Sequence, residues 1–479
     1  MDRRTFLTST TLGAGLAVAL PTLANATPAF TQARAVRVTT LDQLRSAIAA
    51  ANPGDTVTLA GGTYAVPPGR PIAIQGKHGS DGASIVIQAE TVGGVTLTGS
   101  QGFTFADSSW VTVSGFRFRQ STMIDLPTTC THLRLSRNDI QLANTEGLNW
   151  LMVRSDYSKV DRNHFHDKSS LGVFLCVEGP GTAGMARGVH LLRNYFSDHT
   201  FGGSNGGEPI RLGLSGRSLS DAGAIVEQNL FERANGDPEA ISVKSCSNTI
   251  RDNTVRNSLG GIVLRHGSRS RVEGNFILNG TNGIRMYGND HLVVNNYVEK
   301  VTSAGIVLGS GSVRDDKPED SPESRKGNDA PDRVTIALNT VLSCGTGIAG
   351  ETMRTLPPLG CTISDNLLVG DSGRQLVDMP YQQGISWSGN ILWGAAGNGN
   401  IANGFTRKDP LLATGSDGVR RLTSSSPAIN AASKTYSTVT RDLDGNPRSG
   451  KADVGADEYG TAAPINRPLT PTDVGPQSA

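Results

Sequence analysis

The chain has 479 residues, with 44 Lys+Arg against 43 Asp+Glu and a formal net charge of +1. That balance excludes a global pull toward nucleic acid or a membrane surface, so any anion binding must come from local clustering. Glycine is abundant (58 residues) and aromatic residues make up only 5%, which favours many tight turns and thin layers over a bulky aromatic core.

The N-terminal segment reads as a targeting signal. "MDRRTFL" sets Arg3 and Arg4 before Phe6 and Leu7, "LGAGLAVAL" supplies a short apolar stretch, and "ANA" at 24–26 is a small-residue cleavage signal. The paired arginines predict a twin-arginine export peptide over residues 1–26 and a periplasmic or secreted protein whose mature start is near Thr27. The apolar run falls well short of the ~20 residues that span a bilayer, and no later segment is long and apolar enough to do so. Next, "TTLDQLRSAIAAANPGD" predicts a short amphipathic helix, with Thr40 and Gln43 as a capping box and Leu41, Leu44 and Ile48 on one face. Such a helix suits the open end of a strand stack.

From "TVTLAGGTY" to about residue 395 one phrase recurs: alternating apolar residues, then Asn, then an apolar residue. Its asparagines are Asn138, Asn163, Asn194, Asn229, Asn253, Asn275, Asn296, Asn339, Asn366 and Asn390. Several gaps are 21–25 residues, and a period of this size with β alternation predicts a solenoid. Leucine-rich repeats would need L-x-x-L-x-L phrases and a helix in each turn, and neither is visible. The expected fold is therefore all-β: one single-domain right-handed parallel β-helix over residues 27–462, capped by the N-terminal helix. The stacked asparagines would bond each other and the turn backbone inside the coil.

Residues 312–333, polar and proline-bearing, read as a loop on one face. "SSPAIN" and "RDLDGNPRSGKADVGADEYG" read as a folded closing segment, and residues 463–479 as a loose, flexible tail. The five cysteines, Cys130, Cys176, Cys246, Cys344 and Cys361, are odd in number and lack CxxC spacing. They read as buried free thiols, with neither a zinc site nor a disulfide framework.

Three strand phrases carry a cation at the same place: "AISVKS" Lys244, "GIVLRH" Arg265 and "NGIRMYG" Arg285, spaced by 21 and 20 residues. Arg211 in "PIRLG" extends the series. With the flanking aliphatic residues pointing inward, these cations point outward, and the spacing predicts one stacked column. Stacked like charges need compensation. "NGDPEAISVK" places Asp237 and Glu239 ahead of Lys244, and "GGSNGGEPIRLG" places Asn205 and Glu208 ahead of Arg211 on the preceding coil. Such an oxygen-rich group suits Ca²⁺.

Over residues 203–288 this pattern resembles polysaccharide lyase family 6, which comprises alginate lyases and the dermatan-cleaving chondroitinase B type. The resemblance implies a right-handed parallel β-helix, in agreement with the repeat. It implies Lys244 as Brønsted base, Arg265 as general acid, and Asn205, Asp237 and Glu239 as calcium ligands. The family usually has Glu where this chain has Asp237, so the carboxylate sits on a shorter arm. Arg211, His266 and Arg285 would hold substrate carboxylates, with Tyr287 as a sugar-stacking platform. The expected activity is β-elimination of an acidic polysaccharide, alginate first, by a monomer that binds neither nucleic acid nor membrane. Dermatan sulfate cleavage and a non-catalytic, polyanion-binding β-helix are the alternatives. A glycoside hydrolase would need paired carboxylates across a cleft, and the only adjacent aspartates, Asp315 and Asp316, lie in the polar loop.

Overall fold

Short alternating strands bury every second side chain: Ile85 and Ile87 in Ile85–Ala89, Val111 and Val113 in Val111–Ser114. Such segments are too short to close a core alone, and they do so by stacking in parallel. The computed structural model describes residues 32–479 apart from Pro318, Pro322 and Ser449, and the export peptide expected at 1–26 lies outside the described residues. Strands stack into a 14-stranded sheet beginning at Ala35–Val38, a second 14-stranded sheet beginning at Gly62–Val66, and an 11-stranded third sheet beginning at Ile124–Leu126. Each turn of chain contributes one strand to each sheet in the order first, second, third, so the molecule is a parallel β-helix. In-register aliphatic rows such as Val226, Ile250 and Val272 fill the interior. The helix Leu41–Ala49 packs Leu44 and Ile48 onto the first coils, and the Thr40 side chain accepts from Gln43 N, as the capping phrase predicts. No described helix is long and apolar enough to cross a membrane. All five cysteines are free and buried.

The corner between the first and second sheets explains the asparagines. The residue before each ladder Asn has positive φ: Arg137, Arg162, Arg193, Gln228, Asp252, Gly274, Asn295, Leu338, Asp365 and Gly389. One left-handed residue turns the chain sharply, and the following Asn satisfies the backbone groups that the corner exposes. Asn253 Oδ1 accepts from both Asn229 N and Asn229 Nδ2 (3.0 Å each), while its Nδ2 donates to Val226 O (2.8 Å) and to Asn275 Oδ1 (3.0 Å). This pattern repeats through the stack, with every ladder Asn at most 1% exposed.

The C-terminal segment departs from expectation. Instead of a loose tail after a closing cap, residues 433–479 run back along this corner column. Ser433 N bonds Asp365 Oδ1 (2.6 Å), Arg448 Nη2 bonds Asn295 Oδ1 (2.8 Å), and Asn466 Nδ2 bonds Asp252 Oδ1 (3.2 Å). Gly475 N donates to Arg193 O (2.9 Å). Arg137 Nη1 donates to Pro476 O (3.0 Å) and Ser478 O (2.6 Å), and Arg162 donates to Ala479 O (3.1 Å). From the coil of Asp365 to that of Arg137 is roughly 38 Å at strand spacing.

Asp252, beneath this strap, has its carboxyl pushed up to about 7 by burial, against the pull of Arg251. A carboxyl raised above its ordinary 3.8 takes up a proton on folding, so its ionised form subtracts stability as pH rises from about 4 to 7. Asn tolerates the left-handed conformation and carries no charge. Asp252→Asn is therefore expected to raise unfolding stability at pH 8 by about 1–2 kcal/mol. At pH 4 it should change little, which denaturant titrations at the two pH values will show.

Candidate active site

While the first corner is kept tight by the ladder, the other two corners carry insertions, and both flank the third sheet. The strands Ile210–Leu212, Glu239–Lys244, Gly261–His266 and Ile284–Met286 are consecutive there. Their aliphatic residues Ile210, Leu212, Ile241, Val243, Ile262, Leu264, Ile284 and Met286 point into the core. The alternate positions therefore face outward.

The cations do not form the single expected column. Arg211 pairs with Ser242, Ser242 with Val263, and Val263 with Arg285. Lys244 lies one outward position further on and pairs with His266, because a register shift between Val243 and Lys244 leaves Arg265 as the extra residue. Repeat spacing counts residues per coil and is blind to such a bulge. The outcome is one row that holds Arg211 and Arg285 with Ser242 and Val263 between them, and, in place of a second column, Lys244 in register with His266 and Arg265 bulged just ahead of that histidine, which spreads positive charge over a patch.

Carboxylates on neighbouring elements hold each cation. Lys244 Nζ lies 3.3 Å from Glu208 Oε1, Arg285 Nη2 3.1 Å and Arg265 Nε 3.8 Å from Glu239 Oε1, and Arg211 Nη2 3.8 Å from Glu178 Oε1. The Lys244 side chain is only 11% exposed, so its amine is fixed rather than solvated. Tyr287 is 1% exposed and does not offer a platform for a sugar. Its ring instead lies beneath three guanidiniums, with Arg265, Arg285 and Arg354 Cζ at 5.7, 5.8 and 5.0 Å from its centroid. Its hydroxyl donates to Glu351 (Oε2 at 2.7 Å), and burial pushes it up to about 12. His266 is buried under the 312–333 loop, facing the Gly327 backbone. Burial, reinforced by the charges of Arg265, Lys244 and Arg354, pulls it down to about 3, so it is neutral.

Four buried polar atoms here lack a protein partner: Glu208 Oε2, Arg211 Nε, His266 Nδ1 and Arg285 Nε. Unpaired buried groups are costly, so these four are points at which a polar ligand or water can bond. At the start of the same strands, Asp237 accepts from Glu239 N (3.0 Å) and Gly207 N (3.4 Å). Burial, with the charge of Glu208 beside it, pushes Asp237 up to about 6. Glu208, Asp237 and Glu239 thus crowd negative charge at one end of these strands and supply oxygens of the kind a hard divalent cation takes, although their oxygens are not drawn to within 4.8 Å of one another. Asn205 lies exposed on the same loop, ahead of Glu208.

Sequence reasoning missed Glu178, Glu351 and Arg354. Glu178 was within reach, since "LCVE" copies "ISVK", with Glu178 in the place of Lys244. Glu351 and Arg354 follow the strand Thr346–Gly350, beyond the long 312–333 insertion that obscures the repeat. Asp315 and Asp316 lie in that insertion, Asp315 against Asn289 (3.2 Å), outside the cation patch.

The sequence profile of the chondroitinase B family matches residues 38–348. Among solved structures, the chain is similar to the family 6 alginate lyase AlyGC, with 27% identity and a TM-score of 0.73, over 82% of this chain and 55% of that one. It is also similar to a mannuronic-acid-specific family 6 lyase from human gut microbiota, with 25% identity and a TM-score of 0.67, over 75% and 86%. The fold likeness extends to the family 6 lyase Pedsa3628 from Pseudopedobacter saltans, with 22% identity and a TM-score of 0.63, over 93% and 99%. The chain spans little more than half the length of AlyGC. No curated protein sequence matches it.

Proposed function

Since the chain belongs to the chondroitinase B family, within polysaccharide lyase family 6, we propose that it is a polysaccharide lyase that cleaves alginate by β-elimination. The observation that carries this reading is the fixed amine of Lys244 on one coil with Arg265 on the next, one residue before Lys244's register partner His266, and Arg211 and Arg285 on the coils to either side. In a uronate chain the C5 proton lies next to the carboxylate. As the base, Lys244 Nζ takes that proton, the C5–H electrons form the C4=C5 double bond, and the C4–O bond breaks. Arg265 stabilises the departing oxygen, which takes a proton from water to leave as a hydroxyl. Arg211 and Arg285 hold carboxylates of neighbouring sugars, and Arg354 on its Tyr287–Glu351 support adds a third guanidinium at the downstream edge. Glu208, Asp237 and Glu239, with Asn205 ahead of them, would hold Ca²⁺. When bound, that ion would supply positive charge to offset the uronate carboxylate.

Alginate is favoured as substrate because AlyGC is an alginate lyase and the gut lyase is specific for mannuronic acid. Dermatan sulfate is the second reading, favoured by the chondroitinase B profile itself. The protein is proposed to act as a monomer in the periplasm or outside the cell, where the expected export peptide would deliver it. The test is ultraviolet absorbance of the new double bond during incubation with alginate, its mannuronate and guluronate blocks, and dermatan sulfate. Absorbance should rise on alginate, fall with a chelator and return with added Ca²⁺. A rise on dermatan sulfate alone selects the second reading. Binding without any rise leaves a non-catalytic carbohydrate-binding solenoid and overturns the lyase.

A further inference from the structure

The phrase "RNHFHD" places two histidines on the outer face of the second sheet, away from the third-sheet patch. In the strand His164–Lys168, His164 and His166 point the same way, and His164 pairs in register with Asp139 on the preceding coil. One ligating atom from each of Asp139, His164 and His166 can be chosen so that all three lie within 4.8 Å of one another. We propose that these three residues form a Zn²⁺ site that clips adjacent coils of the β-helix together.

The geometry around these residues supports it. His166 Nδ1 bonds Asp167 Oδ2 (2.8 Å), which turns its Nε2 toward Asp139 Oδ1 at 3.1 Å. A carboxylate behind a metal-binding imidazole is the arrangement that fixes ring orientation and raises ligand basicity.

His164 is also held rigidly. Its ring lies between those of His166 and Tyr195, with centroids 4.3 Å away on each side, and its Nε2 is 3.0 Å from Ser197 Oγ on the following coil. The strap closes one flank, where a Cβ added to Gly475 would stand 3.9 Å from that of His164. Both hydrogen bonds to the Asp139 carboxylate, from Arg119 (2.6 Å) and His166, fall on Oδ1, which leaves Oδ2 for a metal. Further out, Asp198 is engaged by Arg233 at 2.6 Å. Two imidazoles and one carboxylate, with Ser197 or water as the fourth ligand, match the coordination preference of Zn²⁺ better than the all-oxygen preference of Ca²⁺.

The test uses the full-length protein stripped with EDTA and titrated calorimetrically with ZnCl₂. One equivalent should bind at micromolar or tighter affinity, and saturation should raise the thermal midpoint. His166→Ala and Asp139→Asn should each weaken binding at least tenfold, while Glu208→Gln, at the carboxylates of the third sheet, should bind as wild type does. Co²⁺ added to the wild-type protein gives a readout that does not depend on the variants folding. Intense visible bands of a four- or five-coordinate nitrogen-containing site, lost on adding one equivalent of Zn²⁺, support the proposal. The weak spectrum of an octahedral oxygen site overturns it, as does affinity unchanged in His166→Ala and Asp139→Asn.

Discussion

Lys244→Ala is expected to slow formation of the unsaturated product from alginate by a factor of about 10² to 10⁴, the usual worth of a positioned general base. The alanine variant removes two things at once: a proton acceptor, and the partner of Glu208, whose carboxylate is 1% exposed. Lys244→Arg separates them. Arginine keeps a cation beside Glu208 but stays protonated at any working pH. If Lys244 is the base, the arginine variant should be as inactive as the alanine one while matching wild type in thermal stability. An arginine variant with a tenth or more of wild-type activity would leave only an electrostatic role for this residue. Arg265→Ala should lose a comparable factor, because the departing oxygen then has no cation beside it. That variant should also loosen the guanidinium group on Tyr287, so Arg265→Lys is the cleaner comparison.

The second large effect is on stability. Asn253→Ala deletes side-chain bonds to Asn229 N, Asn229 Nδ2, Val226 O and Asn275 Oδ1, all fully buried. It leaves the Asn229 N–H and the Val226 carbonyl without their side-chain partner at a corner that water does not reach, while Asn229 Nδ2 keeps Leu191 O and Glu227 O. Each such group costs about 1–3 kcal/mol, so a total loss of about 3–5 kcal/mol is expected in denaturant unfolding. Asn282→Ala removes one partly buried bond, to Leu259 O (2.8 Å), and should cost less than about 1 kcal/mol. Similar losses in the two variants would mean that the ladder is an ornament of the corner and not its support.

The ladder was legible because its chemistry leaves no choice of residue: each position needs a donor and an acceptor on one short arm, and Asn supplies both. The capping helix was legible for a similar reason, through Thr40 and Gln43. The acidic turn around Asp237 and Glu239 could be read because it precedes Lys244 directly in sequence. Register could not. A spacing of 21 residues places Arg265 one coil from Lys244 but says nothing of the bulge between Val243 and Lys244. Nor could the burial of Tyr287, whose cover comes from Glu351 and Arg354, more than sixty residues away. Residues 463–479 left no periodic trace because the segment is held mainly through its backbone. Pro476 O, Ser478 O and Gly475 N are groups that almost any sequence would present.

That segment changes what kind of object the solenoid is. In a stack where each coil touches only its neighbours, the ends fray and damage spreads one coil at a time. Here a single run of chain crosses the corner of coil after coil, and one of its bonds joins residues 341 positions apart. Opening any coil beneath it means lifting the run as well, so melting becomes a collective event. Contacts over such separations form late in folding, after the coils have stacked. Interactions made late act chiefly on the unfolding rate. The run works as a latch: it contributes little to how quickly the β-helix assembles and much to how long it stays shut.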